Sequence, residues 1–122
     1  WNYSVKNKFV SVNSKLEYIN PECVLGSDVY LLFSKMKEWH NDVPGDFNFI
    51  GSDLEYVNPD CVFGGDVYVS GTNIKEWHCD VGGDFRSIGS KLEKIVNCEI
   101  KGEIQCNNNV EIINEEKHTM RM

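Results

Sequence analysis

The chain contains an internal repeat, and this repeat restricts the possible folds more than any other feature of the sequence. Residues 54–91 repeat residues 16–53 at most positions, as LEYVNPDCVFGGDVY against LEYINPECVLGSDVY shows for the first part. Self-similarity at a fixed period is typical of a solenoid, whose units stack because none of them can bury its own apolar face alone. The sequence therefore predicts a repeat protein.

Each repeat unit divides into two coils of unequal length. An acidic residue follows the turn at the start of every coil after the first, which begins at Lys8. These acidic residues are spaced 18 to 20 positions apart: Asp28, Asp46, Asp66, Asp84 and Glu103. The spacing predicts a mostly β, single-domain β-solenoid of about six coils of 18–20 residues. Residues 1–7 are expected to form an N-terminal cap, residues 8–102 five coils, and residues 103–122 a terminal coil and tail.

Apolar residues at fixed positions predict the core of the solenoid. Short runs of β-branched and aromatic residues between turn signals predict two strands in each coil, stacked in parallel on the next coil. One column of inward side chains is expected at Val29, Phe47, Val67 and Phe85. Each coil is expected to close on a further apolar residue: Val24, Val43, Val62, Val81 or Ile100.

Composition favours a soluble cytoplasmic protein that binds neither nucleic acid nor membranes. The 122 residues are 41% hydrophobic with a net charge of -7, which leaves no basic stripe for nucleic acid. No apolar run approaches the ~20 residues of a membrane-spanning helix, and the first residues lack the pattern of a signal peptide. Five cysteines without a C-x-x-C pair favour reduced thiols in the cytosol.

The cysteines and histidines fall at equivalent positions of different coils. Cys23 and Cys61 are two coils apart, which is ~10 Å at ~4.8 Å per stacked strand and too far for a disulfide. Cys79 and Cys98 fall on adjacent coils, where a disulfide is geometrically open but two half-buried free thiols are favoured. The histidine after each repeated tryptophan is also two coils from its equivalent, so neither a metal site nor a cofactor is predicted.

No motif of a catalytic site is present, and the chain is predicted not to be an enzyme. The sequence has no G-x-S-x-G, no P-loop and no H-E-x-x-H. Its repeated His, Glu and Asp residues recur at equivalent positions instead of converging on one point, as catalytic residues must. A regular ladder of carboxylates also gives every pair the same surroundings, so that no single pKa separates from the others.

The stretch VYVSGTNIKEWH at Val67–His78 resembles the core of a leucine-rich repeat, L-x-L-S-x-T/N-x-I-x-x-L-P. The segments VGGDF and FGGDVYVSGTNI are similar to the short Gly-Gly-Asp variety found in bacterial and phage proteins. The resemblance covers about Lys8 to Gly102, with His in place of the proline and with Trp39 and Trp77 in place of leucine. It implies a β-solenoid and a protein-binding habit, without catalytic residues. The coils are too short for the convex helix of the animal repeats.

The outward side chains of the predicted sheet form a candidate binding face. If Val29 and Leu31 point inward, the residues next to them point out, because side chains alternate along a strand. The candidate partner-binding residues are Tyr30, Leu32, Ile50, Tyr68, Arg86 and Ile88. An apolar and aromatic strip flanked by acidic residues is typical of an interaction site. The alternative is a strand that bends after Leu31, which turns Leu32, Ile50 and Ile88 into the core.

The acidic residues that begin the coils form a second candidate surface, an acidic strip. It consists of Asp28, Asp46, Asp66, Asp84 and Glu103. Like charges ~4.8 Å apart repel by about 0.9 kcal/mol even in bulk water, so another interaction must offset the repulsion. Three interpretations are open: the carboxylates cap backbone amides of the preceding turns, bind calcium, or face a basic partner. Calcium fits least, because the known calcium-binding β-roll has a nine-residue period that this chain lacks.

The sequence therefore predicts a non-enzymatic module that presents a regular solenoid face to a protein partner. The alternative is an acidic inhibitor that mimics nucleic acid, such as a phage anti-defence protein, and blocks the basic groove of a nucleic-acid-processing enzyme. The partner is expected to be a protein in both cases, with a basic surface in the second. The exposed ends of the solenoid also allow a homo-oligomer.

Overall fold

The computed structural model describes residues 8–12 and 15–113, and this part of the chain contains strands but no helix. The predicted cap at residues 1–7 and the predicted tail from residue 114 lie outside the described residues. The strands are β1 (Phe9–Val12), β2 (Val29–Leu32), β3 (Glu38–Trp39), β4 (Phe47–Asn48), β5 (Tyr56–Val57), β6 (Val67–Tyr68), β7 (Glu76–Trp77), β8 (Phe85–Arg86), β9 (Lys94–Val96), β10 (Ile104–Gln105) and β11 (Glu111–Ile113). Stacked in parallel, they form a β-solenoid of about six coils, which confirms the predicted fold.

One side of the solenoid is a continuous six-stranded parallel sheet with one strand from each coil, in the order β1-β2-β4-β6-β8-β10. The first residues of these strands stand side by side along the sheet: Phe9, Val29, Phe47, Val67, Phe85 and Ile104. The coils, numbered 1 to 6 from the N-terminus, therefore have the lengths that the acidic residues predicted. We call this side the sheet side.

The second side is interrupted. Strand β3 pairs with β5, and β7, β9 and β11 form a separate three-stranded sheet, so that β5 and β7 belong to different sheets. Residues 15–27 of coil 1 contain no strand on this side, which corrects the expectation of two strands in every coil. We call this side the interrupted side.

The core between the two sides is a continuous row of aromatic rings. Trp39 packs on Phe47 at 5.1 Å between ring centroids, and Phe47 packs on Phe63 at 4.8 Å. Phe63 in turn packs on Trp77 at 5.3 Å, and Trp77 on Phe85 at 4.9 Å. The two indole N–H groups are buried and donate to backbone carbonyls two residues further along the chain, as a buried indole requires. Both tryptophans are therefore core residues with satisfied N–H groups.

The residues that close the coils differ from the prediction in two coils. Isolated parallel bridges join Val43 to Phe63, Phe63 to Val81, and Val81 to Ile100. Phe63 is buried, whereas the predicted Val62 is 57% exposed. The predicted Val24 is likewise exposed, and its neighbour Leu25 lies in the core instead. The constant feature is that the closing residue stands three positions before the acidic residue of the next coil.

No helix in the described part of the chain has both the length and the apolar character needed to cross a membrane.

Candidate functional site

The outer face of the sheet side is built from two parallel columns of side chains. In β2, β4, β6 and β8 the first residue is buried and the second points outward, as alternation requires. The first outward column is Val10, Tyr30, Asn48, Tyr68, Arg86 and Gln105. Its members are half-buried or exposed.

The second outward column lies two residues further along each coil. The amide N–H of Phe33 donates to the carbonyl of Ile50 at 3.0 Å, and the amide of Gly51 donates to the carbonyl of Ser70 at 3.0 Å. These bonds place Leu32, Ile50 and Ser70 side by side. The column is Val12, Leu32, Ile50, Ser70 and Ile88, and its members are exposed or half-buried. The backbone therefore does not bend this column into the core, and the outward orientation was the correct alternative.

The structure thus brings all six predicted partner-binding residues onto one face: Tyr30, Leu32, Ile50, Tyr68, Arg86 and Ile88. Ile88 is 56% exposed and Ile50 is 37% exposed, so both side chains present apolar surface to solvent. Ser70 interrupts the apolar column between them. Whether this face binds a partner stays a prediction.

Phe33 is a residue of this face that the sequence interpretation missed. It is 55% exposed and adopts a left-handed backbone conformation with φ 53°. The equivalent residues of the next three coils are glycines with φ 71°, 69° and 82°: Gly51, Gly71 and Gly89. A side chain in this conformation costs ~1–2 kcal/mol, so an exposed phenylalanine is kept here against a local energetic cost. The sequence did contain a signal for Phe33, because the same position is glycine in each of the next three coils.

The aromatic residues of the face have polar neighbours. The Nζ atom of Lys8 lies 5.0 Å from the centroid of the Tyr30 ring, and the Arg86 guanidinium lies 5.2 Å from that of Tyr68. The Tyr68 hydroxyl donates to the carboxylate of Asp66 at 3.0 Å. Desolvation and this hydrogen bond raise the pKa of Tyr68, so its hydroxyl stays a donor.

The acidic strip lies beside this face and forms a hydrogen-bonded ladder. The amide N–H of Asp46 donates to the carboxylate of Asp28 at 2.8 Å, and the same bond recurs from each coil to the next. The carboxylates therefore accept amides of the following coil and not of their own preceding turn, which corrects the capping interpretation in its detail. A charge-assisted hydrogen bond is worth roughly 1.5–3 kcal/mol, more than the repulsion between neighbouring carboxylates.

A glycine makes room for each carboxylate of the ladder. A Cβ atom built on Gly65 would collide with a carboxylate oxygen of Asp46 and with the backbone of Gly45. The glycine before each later acidic residue is crowded in the same way by the aspartate of the coil before it. Before the acidic residue of coil 2 stands Ser27 instead of a glycine. The residue of coil 1 that would face it is Lys8, which has no carboxylate to accommodate. The repeated Gly-Asp pair is thus explained by stacking.

The cysteines are buried or half-buried free thiols. Bridges between the residues two positions further along place Cys61, Cys79 and Cys98 on three consecutive coils, although the sequence interpretation paired only the last two. Desolvation raises the pKa of Cys61 and of Cys79 to about 12 and that of Cys98 to about 11. These thiols therefore stay protonated at neutral pH, which opposes a role as nucleophiles.

The remaining ionisable side chains of the described residues form pairs at most: His40 with Glu38, His78 with Glu76, and Arg86 with Asp84. Residues 8–12 and 15–113 contain no cluster of three or more His, Cys, Asp or Glu side chains that could hold a metal ion. His40 and His78 each bond the glutamate two positions earlier, at 3.0 and 2.9 Å. The end of the solenoid at coil 6 exposes Ile104 (37%) and Ile112 (52%), the surface on which the predicted homo-oligomer would depend.

No family model, no curated protein and no solved structure gives a significant match to this chain.

Proposed function

We propose that this chain is a non-enzymatic protein-binding module and that its contact surface is the outer face of the sheet side. The observation that carries the proposal is the contiguous patch formed by Leu32, Phe33 and Ile50, next to the tyrosines of the first column. Exposed apolar patches rimmed by polar residues mark protein interaction sites, and aromatic residues contribute most of the binding energy at such sites.

Two further features support a binding role. Strained backbone conformations cluster at functional sites, and Phe33 combines such a conformation with an exposed aromatic ring. The resemblance to short leucine-rich repeats implies the same habit. A cytoplasmic site of action fits the free cysteines, whose thiols would be oxidised more readily in a secreted protein.

The acidic inhibitor is the weaker candidate. The carboxylates of Asp28, Asp46, Asp66 and Asp84 are engaged with backbone amides, so the ladder accounts for their regular spacing without a basic partner. The net charge of -7 still favours basic partners at long range. Salt dependence separates the two, because exposed charges are screened over ~8–10 Å at physiological ionic strength and apolar contacts are not.

The experiment is a pull-down from the source cell with the whole chain, followed by calorimetry on the enriched partner. Tyr30→Ala with Tyr68→Ala is expected to weaken binding roughly tenfold or more while the protein stays folded. The matched control is Tyr18→Ala with Tyr56→Ala, which removes the same two side chains from the interrupted side. Unchanged affinity in the first pair contradicts the proposed face. Steep loss of affinity with salt, and weaker binding by Asp46→Asn with Asp66→Asn, would favour the acidic inhibitor.

A further inference from the structure

The outer face of the sheet side holds a guanidinium group in the second repeat unit. The guanidinium carbon of Arg86 lies 5.2 Å from the centroid of the Tyr68 ring, and its Nη2 atom lies 3.8 Å from Oδ2 of Asp84. The Tyr68 hydroxyl donates to Oδ2 of Asp66 at 3.0 Å. The Nε atom of Arg86 is buried, so the side chain lies against the sheet instead of extending into solvent. We call the tyrosine ring and the two carboxylates the second-unit site.

The first repeat unit has the same ring and the same two carboxylates, but no arginine beside them. Each residue of this set stands 38 positions before its equivalent: Tyr30, Asp28 and Asp46. The position of Arg86 is taken by Asn48. The register of the sheet is also the same, because Tyr30 stands beside Asn48 in the next strand as Tyr68 stands beside Arg86. We call this set the first-unit site.

Asn48 does not take over the role of the arginine. Its side-chain oxygen accepts the amide N–H of Ile50 at 3.2 Å, so this side chain is turned along its own strand. The lysine beside Tyr30, Lys8, belongs to the preceding coil, whereas Arg86 belongs to the coil that follows its tyrosine. Lys8 therefore approaches Tyr30 from the neighbouring coil opposite to Asn48. Because Tyr30 and Asn48 are only half-buried, a side chain of another molecule can reach the surface between them.

The carboxylates of the first-unit site use one oxygen each in the ladder. The Oδ1 atom of Asp28 accepts the amide of Asp46, and the Oδ1 atom of Asp46 accepts the amide of Asp66. In the second unit the corresponding Oδ2 atoms bond the tyrosine hydroxyl and face the guanidinium. Burial raises the pKa of Tyr30, and the negative charges of Asp28 and Asp46 raise it further, so both carboxylates act on this side chain. A cation therefore complements the first-unit site.

The chemistry of the site favours arginine over lysine, and its surroundings favour a protein as the source. A guanidinium is planar, stacks on aromatic rings and presents a fork of donors to a carboxylate, whereas an ammonium is a compact and strongly hydrated charge. The apolar patch of Leu32, Phe33 and Ile50 belongs to the same repeat unit, while the second unit has Ser70 and Gly71 in place of the first two. The unit without its own arginine is thus the unit with the apolar patch. Arginine and apolar side chains occur together in the centres of protein interfaces.

We propose that an arginine of the partner protein binds at the first-unit site. Its guanidinium stacks on the Tyr30 ring and pairs with the Asp46 carboxylate, in the place that the chain's own arginine takes in the second unit. Apolar side chains next to that arginine contact Leu32, Phe33 and Ile50. The proposal rests on the proposed function and narrows it, because it places the contact on coils 2 and 3 and names the residue that the partner contributes.

The test is an NMR titration of the whole chain with the peptide acetyl-Leu-Arg-Leu-amide. Saturable shifts are expected at the amides of Tyr30 and Asp46 and not at that of Tyr68. The same peptide with citrulline, which has the shape of arginine without its charge, should bind at least about tenfold more weakly, and so should the lysine peptide. Asn48→Arg supplies a guanidinium from the chain itself and should weaken binding at least about tenfold, whereas Arg86→Asn should create a second site with shifts at Tyr68. Each variant introduces the residue that the other repeat unit has at the same position, so both are expected to fold.

Three results would overturn the proposal. The first is that the arginine peptide gives no saturable shifts at the first-unit site. The second is that the citrulline or the lysine peptide binds equally well, or that Asn48→Arg binds the arginine peptide as tightly as the original chain does. The third concerns the partner itself: if Tyr30→Ala with Tyr68→Ala weakens its binding and Asn48→Arg does not, the sheet side is the contact surface but no arginine of the partner uses this site. In that case the proposed function stands without the present proposal.

Discussion

The two sides of the solenoid differ in how far their hydrogen bonding extends. On the sheet side every coil pairs with the next, whereas on the interrupted side β5 and β7 part and coil 1 has no strand. Both interruptions lie where a 20-residue coil precedes an 18-residue coil. The longer coils contain the Asn-Pro turns, and proline both lengthens the corner and removes a donor. The two-coil period of the sequence thus becomes a two-coil period in strand pairing.

The sheet side lacks this two-coil period because the corner before its strands has the same hydrogen bond from coil 2 onward. The carboxylate ladder joins the acidic residue of one coil to the amide of the next, whatever the length of the coil. A short corner with the same hydrogen bond thus fixes the register of the sheet side, while the differences in coil length are accommodated on the interrupted side.

The largest effect is expected from closing the space that the ladder needs. Gly65→Ala places a Cβ atom against Asp46 and the backbone of Gly45, so the free energy of unfolding should fall by about 3 kcal/mol. Gly89→Ala is the control: it also adds a methyl group, but its nearest neighbour is 3.8 Å away and only its φ of 82° is unfavourable. It should cost about 1 kcal/mol. Urea denaturation measures both, and equal losses would contradict the ladder.

A smaller effect is expected from removing one carboxylate. Asp66→Ala leaves the amide of Asp84 and the hydroxyl of Tyr68 without their acceptor, and should cost about 2 kcal/mol. Asp60→Ala removes an equally charged but exposed side chain outside the ladder and should change stability by less than ~0.5 kcal/mol. If Asp66→Ala is as harmless in thermal unfolding, the ladder does not fix the sheet side.

Phe33→Gly should act in the opposite direction. It relieves the left-handed strain at φ 53° and should raise the free energy of unfolding by about 1 kcal/mol. The reverse change in the next unit, Gly71→Phe, should lower it by a similar amount. Binding to the partner should become weaker in Phe33→Gly although the protein is more stable. A less stable Phe33→Gly variant would show that the ring is kept for packing on Gly51.

The buried thiols give the smallest effect near neutral pH, where they are protonated in both states, and their effect appears only in alkaline solution. Burial raises the pKa of Cys61 and Cys79 from the ordinary 9.0 to about 12, so the folded state holds these protons more tightly than the unfolded state. The stabilising contribution of these two protonated thiols to the free energy of unfolding is complete below pH 9, and it is lost as the pH rises from about 9 to about 12. Cys61→Ala with Cys79→Ala should flatten the fall in melting temperature over this range. An unchanged slope would contradict the burial of these thiols.

Much of the fold was predictable because the buried apolar positions recur once per coil along the sequence. The inward column at Val29, Phe47, Val67 and Phe85 is fully buried, as expected. Val24 and Val62 were assigned wrongly because valine was matched to valine, whereas the constant offset of three residues before the acidic residue identifies Leu25 and Phe63. Matching identical residue types gave the wrong closing residue in these two coils, whereas the distance from the acidic residue gives the right one.

The face of the sheet side was only partly predictable. Strand alternation placed the outward residues correctly, since the strand does not bend after Leu31. Phe33 was missed because a left-handed backbone is expected of glycine, and alternation says nothing about it. The interruption between β5 and β7 was also not foreseen, because it depends on how coils of unequal length meet and not on any residue pattern within one coil.

Amide hydrogen exchange, read by NMR, measures directly how the hydrogen bonding of the sheet side differs from that of the interrupted side. The amides of Phe49 and Val69 bond the next coil on the sheet side at 2.8 Å. The amides of Val57 and Glu76, in the same two coils, point into the interruption, because alternate residues of a parallel strand bond opposite neighbours. The amides of Phe49 and Val69 are expected to exchange about a hundredfold more slowly than those of Val57 and Glu76. Equal protection at the four amides would contradict this expectation.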